Sequence, residues 1–209
     1  MNRQLFVTTI GFVIGLAFFQ NGAPGNEGRL SYRSVEVLAG PQIDAVEQRY
    51  VELLKQRLSE AARVSLGPAE TDDRLLVYVG TVESNPRLRA LGDQMHISLP
   101  DELDPGPEGF VLATGKLQET RAALLIGVDR RGVLYAIGEF LRQVEGQSDR
   151  LSAPASIELR RAPRWPVRGL LVVQGHTMRE LTGARAWSLA EWQRAHLEYA
   201  LAGAHTFGV

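Results

Sequence analysis

The sequence predicts an α/β fold: a small sheet with two long helices on one face, followed by the opening of a second strand–helix–strand unit. Three observations predict it. Apolar residues recur at three- and four-residue steps over two long stretches, 43–64 and 129–144, as on the buried face of a helix. Short apolar and β-branched runs bounded by Gly, Pro and Asp lie around them, giving the order β-α-β-α-β-β-β-α. After a proline-bearing connector at 150–169, the texture changes to an apolar run without alternation, as in a parallel strand buried on both faces.

Bulk composition narrows the class. A chain of 209 residues forms one large domain or two small ones. A hydrophobic content of 44% and a net charge of −1 suit a folded globular protein and exclude a disordered tail. The 23 Lys and Arg are scattered among 24 Asp and Glu. "ELRRAPR" (158–164) therefore reads as a solvated linker, since nucleic-acid binding needs clustered cations. The chain has no cysteine, which removes disulfides, thiolate nucleophiles and cysteine-held zinc or iron together.

The elements follow in order. "MNRQLFVTTIGFVIGLAFFQNGAPG" carries one cation, Arg3, then an apolar run from Leu5 to Phe19, then small and polar residues. The run is shorter than the about 20 residues a membrane span needs. It fits a signal-peptide core, so 1–23 is expected to be a leader and the mature protein to be periplasmic or secreted, with no stable membrane span. Residues 20–31 read as the start of the mature chain and 33–40 as a strand ending at the Gly40-Pro41 turn.

Over 43–64, Val46, Tyr50, Leu53, Leu54, Leu58 and Ala61 share one helix face, with Glu47, Glu52, Lys55 and Glu60 on the solvated side. "RLLVYVGT" (74–81) reads as a buried strand. Asn85, Pro86 and Gly92 read as cap, first position and stop of a short helix. "MHISLP" (95–100) is expected to be an edge strand, and "DELDPGPEG" a loop. "GFVLAT" (109–114) and "AALLIGV" (122–128) are two strands joined by a turn containing Gly115. Asp129 then caps a helix with Val133, Leu134, Ile137, Phe140, Leu141 and Val144 inward. This unit looks self-sufficient from about Leu30 to Leu159.

Beyond the connector and its short strand at 156–159 comes "VRGLLVVQG" (167–175). A helix at 188–204 follows, with Ser188 and Glu191 as a capping box, and "AHTFGV" starts another strand. Strand, helix, strand opens either a β/α barrel or a doubly wound sheet.

Several of these residues resemble a known pattern: Glu108-Gly109-Phe110, Gly127 through Tyr135-Ala136, Pro154, Pro163-Arg164-Trp165 and Arg168-Gly169. The ordered set is similar to the non-catalytic N-terminal domain of bacterial-type β-N-acetylhexosaminidases (glycoside hydrolase family 20). Related domains precede the barrels of α-glucuronidases and α-N-acetylglucosaminidases. The resemblance covers about 30–175, with a weaker echo in 187–209. It implies a hexosaminidase domain-2-like accessory unit at 24–161, then the first β/α unit of an incomplete (β/α)₈ barrel at 162–209. Carbohydrate would bind through the missing part of the barrel. The Asp129–Gly132 turn would then be structural.

The chain also departs from the family. After Arg-Gly, the family's strand carries an Asp and ends in an Arg that grips the terminal sugar. The matching positions here are Val173 and His176, so that contact is not carried over. The family's catalytic Asp-Glu pair would fall beyond Val209.

Glycoside hydrolysis needs two carboxyl groups, or one and a substrate acetamide, across the bond. Glu108 before a strand, Glu139 on a helix surface and Glu191 in a cap offer no such pair, so no catalytic residue is assigned. Gln174, His176 and Arg179, after the first barrel-like strand, are the candidate substrate-binding residues, because barrel sites form at C-terminal strand ends. No metal or cofactor site is expected: there is no His-Glu-x-x-His, and no glycine-rich phosphate cradle. Two readings remain. One is the N-terminal part of an exported glycosidase. The other is a non-enzymatic module that binds carbohydrate or protein. The apolar "AGAHTFGV" at the chain end favours the first.

Overall fold

The computed structural model describes residues 28–68, 73–165, 167–171, 188–204 and 206–208. The signal-peptide expectation at 1–23 lies outside them. The centre is a six-stranded mixed sheet, built from β2 (Ser34–Ala39), β3 (Ser65–Leu66), β4 (Arg74–Gly80), β5 (Phe110–Leu117), β6 (Thr120–Gly127) and β9 (Ile157–Arg161). Its order is β3-β2-β4-β6-β5-β9. The first four strands of that order run parallel; β5 and β9 pair antiparallel. The parallel half follows from crossovers, which need a helix each. The antiparallel step is a hairpin that turns at Gln118-Glu119, with Gln118 at φ 53°. Gly115, expected in that turn, instead lies within β5.

Two helices, α1 (Ala45–Ala61) and α3 (Arg130–Gln143), cover one face. Register explains the core: Val35 lies beside Leu75, Val77 beside Ala123, and Leu112 beside Leu125, so each row points the same way. Onto these rows pack Val51, Leu54 and Leu58 of α1 and Val133, Ile137 and Phe140 of α3. Each such side chain contributes about 1.5–3 kcal/mol on burial. The other face carries the shorter α2 (Arg87–Met95), whose Leu88 and Leu91 meet Leu124 and Ile126. The alternation along β6, Ala123 and Leu125 one way and Leu124 and Ile126 the other, explains its uninterrupted apolar run.

The remaining strands of this layer form a second sheet, β1 (Arg29–Tyr32), β8 (Arg150–Pro154) and β7 (Glu145–Gln147), in the order β1-β8-β7. Sequence reading placed most of β1 in the irregular start of the mature chain and β8 in the connector. Their apolar signal is short, and what makes them strands is pairing across about 120 positions. A fourth helix, α4 (Leu189–Leu201), lies between β10 (Gly169–Leu171) and β11 (Thr206–Gly208), which pair in parallel. No helix among the described residues is long and apolar enough to cross a membrane.

Four further expectations are corrected. "MHISLP" is not a strand: α2 runs through Met95, His96 closes it in the left-handed conformation, and 97–100 form no ladder. Gly92 is a buried position inside α2, packed closely against Leu99 and the Ile97 carbonyl, rather than its stop. Asn85 does not cap α2. Its amide donates to the Val79 and Leu38 carbonyls, stapling β4 to β2 at the ends of their ladder. Glu47 is buried rather than solvated. It closes the capping box with Asp44 and accepts a 2.8 Å hydrogen bond from Ser84.

The staple has a functional bearing. Open α/β sheets bind ligands in the crevice beyond the carboxyl ends of parallel strands, where the connections diverge to opposite faces. That place here is between β2 and β4, whose connections run through α1 and α2. It is filled by main chain: a Cβ on Gly40 would stand 2.0 Å from the Ser84 carbonyl oxygen, and one on Gly80 2.8 Å from its hydroxyl.

Candidate functional site

The charged residues of 106–144 converge where the layer meets β10. Asp129 caps α3 by accepting from the Gly132 amide at 2.9 Å, and its second oxygen accepts from the Glu108 amide, also at 2.9 Å. One carboxylate thus fixes both the helix start and the turn before β5, where Glu108 sits at φ 58°. That placement sets the Glu108 carboxylate over the first turns of α3, next to Arg131 and Tyr135. Arg131 donates to it at 2.6 Å.

Its other oxygen receives Arg168, which comes from the residue just before β10. Arg168 is only 5% exposed, and each nitrogen of its guanidinium has a partner. It donates to Glu108, to the Tyr135 hydroxyl at 3.1 Å, to the Gly203 carbonyl at 2.6 Å and to the Trp165 carbonyl at 2.5 Å. It also lies over the Tyr135 ring, 5.6 Å from the centroid. A rigid planar fork serves such scattered acceptors where a lysine ammonium could not.

Burial by itself pushes the Glu108 carboxyl up, but hydrogen bonds and charge from Arg131 and Arg168 outweigh it and hold the group below the usual carboxylate range. Burial pushes the Tyr135 phenol up, opposed by Arg168. These directions run against one chemistry. A general acid is tuned upward towards the working pH, whereas Glu108 is tuned downward and occupied on both oxygens. The cluster is an electrostatic joint.

The depressed carboxyl has a measurable consequence. Its folded pKa lies below its unfolded one, so its stabilisation is complete above the ordinary glutamate value of about 4.3 and fades as pH falls through the folded value. Urea titrations at successively lower pH are expected to show Glu108→Gln less stable than wild type at neutrality but losing less on acidification. Parallel curves would exclude the assignment.

A second joint lies on α3. Glu139, expected on a helix surface, is 4% exposed. It accepts from Arg142 at 2.8 Å and from Gln143 at 2.9 Å, and pairs with Arg161 of β9 at 3.3 Å. Burial raises its carboxyl, and the Arg142, Gln143 and Arg161 contacts more than reverse this. The 3.6-residue spacing places position 139 outward on an isolated helix; the folded chain brings Arg161 of β9 to it, a partner the local pattern does not encode.

Beside it in sequence, Gly138 receives the end of α4: a Cβ there would lie 2.1 Å from the Leu201 carbonyl oxygen, and Arg142 donates to that oxygen at 3.4 Å. Gly138→Ala is expected to push α4 outward, seen as a red-shifted tryptophan emission. All three tryptophans, 165, 187 and 192, lie beyond the layer, so emission reports on that part of the chain. An unshifted spectrum would refute the contact.

Between α1, α3 and α4 is an open cleft of about 700 Å³ lined by Ala61, Leu141, Val144 and Leu201, with Arg57, Glu191 and Glu198 among its charged residues. Its acids are engaged: Glu198 pairs with Arg57, and Glu191 closes the Ser188 capping box. No cluster of three or more potential metal ligands occurs among the described residues. The candidate substrate-binding residues Gln174, His176 and Arg179 lie outside the described residues. Sequence reading singled out Glu108, Tyr135 and Arg168 only as motif members. The signal for their meeting was the motif's charge pattern, an acid before β5 and an arginine before β10.

The fold is one found in glycoside hydrolases, at levels of identity that show the fold alone. No family model matches the sequence, and no curated protein matches it. The solved structures that resemble it include BtGH115A, a family GH115 4-O-methyl-α-glucuronidase with specificity for decorated arabinogalactans (TM-score 0.57, 15% identity, 87% of this chain and 25% of that one). Others are CpGH84B (0.51, 15%, 93% and 36%) and the GH20 exo-β-N-acetylglucosaminidase of Vibrio harveyi (0.50, 12%, 87% and 23%). The chain thus spans about a quarter to a third of the length of each.

Proposed function

We propose that the chain is the N-terminal part of an exported glycoside hydrolase acting on poly- or oligosaccharides, hexosaminidase-like or glucuronidase-like. Residues 24–161 serve as a structural accessory domain, and 162–209 open a (β/α)₈ barrel whose catalytic carboxylates lie beyond Val209. The observation that carries this reading is the pairing of β10 with β11. It is a parallel β-α-β unit joined to an α/β layer, in a chain whose fold recurs in three glycoside hydrolases. A parallel pair needs further strands and helices to cover it. Gln174, His176 and Arg179, after β10, would be its contribution to substrate binding.

The test compares chromogenic N-acetylglucosaminides and glucuronides with the 209-residue chain and with the product of the reading frame continued past Val209. Turnover is expected only from the longer protein, and only while an acidic pair in the added barrel is intact. Turnover by the 209-residue chain, abolished by one Asp or Glu substitution within it, would overturn the proposal.

A further inference from the structure

We infer that the α/β layer sets the register of the β10–β11 pair through one side chain, Arg168, whatever chemistry the protein performs. The ladder itself is weakly specified. It matches only Gly169 with Thr206, Leu170 with Phe207 and Leu171 with Gly208, and two of these six residues are glycines. A strand pair that short has little to oppose a one-residue slip, which turns every side chain to the other face.

The arginine supplies what the ladder lacks. It stands immediately before Gly169, and its Nε holds the carbonyl of Gly203, three residues before Thr206, at 2.6 Å. One guanidinium thereby ties the beginnings of both strands. The same group is anchored to the layer by Glu108 and by the Tyr135 hydroxyl at 3.1 Å. Glu108 is itself fixed by Arg131 and by the bond from its amide to Asp129. A slip moves β10 by about 3.3 Å. That distance carries Arg168 away from Glu108 and Gly203 and leaves a buried cation unpaired, which the interior does not tolerate. The layer's carboxylate therefore selects one register.

The end of α4 is held in the same manner. Arg142 donates to Leu201 and Arg168 to Gly203, two cations at a helix C-terminus, where they also oppose the negative end of its dipole. Gly138 keeps the seat flat.

Hydrogen exchange on the 209-residue protein tests this. In Arg168→Ala, peptides covering 169–171 and 206–208 are expected to exchange about tenfold faster or more, while 110–127 in β5 and β6 stay within about twofold of wild type. Arg168→Lys keeps the charge but loses the fork and is expected to behave like the alanine variant. Tyr135→Phe, which removes one hydroxyl and leaves the fold-determining charges in place, is expected to give a smaller rise at the same two peptides. The inference is overturned if β10 and β11 keep wild-type protection in both Arg168→Ala and Tyr135→Phe. It is equally overturned if protection is lost to the same degree in β5 and β6, or if lysine restores it fully.

Discussion

Gly132→Val is expected to lower the melting temperature by roughly 6–12 °C, as an overpacking cost of about 3 kcal/mol implies for a chain of this length. The reason is contact between backbones. A Cβ at 132 would stand 2.1 Å from the Gly109 carbonyl oxygen and 3.1 Å from the Gly127 Cα. Gly109 and Gly127 are equally closed: a Cβ on Gly127 would meet the Val133 amide nitrogen at 2.2 Å, and one on Gly109 the Gly106 carbonyl oxygen at 2.6 Å. Three main-chain segments therefore touch where β5 begins, β6 ends and α3 starts. No side-chain rotation relieves a clash with a carbonyl, so α3 must lift from the sheet. Gly132→Ala should produce most of the same loss, because the first added carbon already collides. Differential scanning calorimetry of the two variants decides the point. Unchanged melting in both would mean that the α3 entry is placed wrongly.

Glu139→Ala is expected to cost about 3–5 kcal/mol, the usual consequence of removing one partner of a buried ion pair. Arg142 could turn to water, being 41% exposed, but Arg161 is only 16% exposed and would keep its charge where little solvent reaches. By contrast, the pair of Arg57 with Glu198, whose carboxylate is half exposed and reached by water, should contribute no more than about 1 kcal/mol. Urea unfolding of Glu139→Ala, of Glu139→Leu with Arg161→Leu, and of Glu198→Gln separates the cases. The double variant should recover much of the loss, since it leaves no orphan charge. A single variant no weaker than Glu198→Gln would show that Glu139 is not buried against β9.

The parts of the fold that could be read in advance are those written locally. The stripes of α1 and α3, the caps at Asp129 and Ser188, and the runs of β2, β4 and β6 need no knowledge of distant partners. What escaped depends on partners far along the chain. β1 exists because Arg29–Tyr32 lies against β8, and Glu47 is buried because Ser84 reaches it across 37 positions. "MHISLP" has strand composition, but its first residue ends α2 and its Ser98 carbonyl accepts from the Arg160 side chain instead of joining a ladder. The joint at Arg168 was half legible: its members stood out one by one, yet only the folded chain shows an acid before β5 and an arginine before β10 sharing one contact.

The stoppered crevice between β2 and β4 has a consequence for how such a layer diversifies. A loop that packs into the end of its own sheet ties the sequence there to close fit. Gly40 is the sentinel: the first methyl group placed on it would prise the 80–85 segment out. Anyone wishing to graft a ligand pocket onto this scaffold would begin by shortening that segment, and would expect to trade away the staple from Asn85 in doing so.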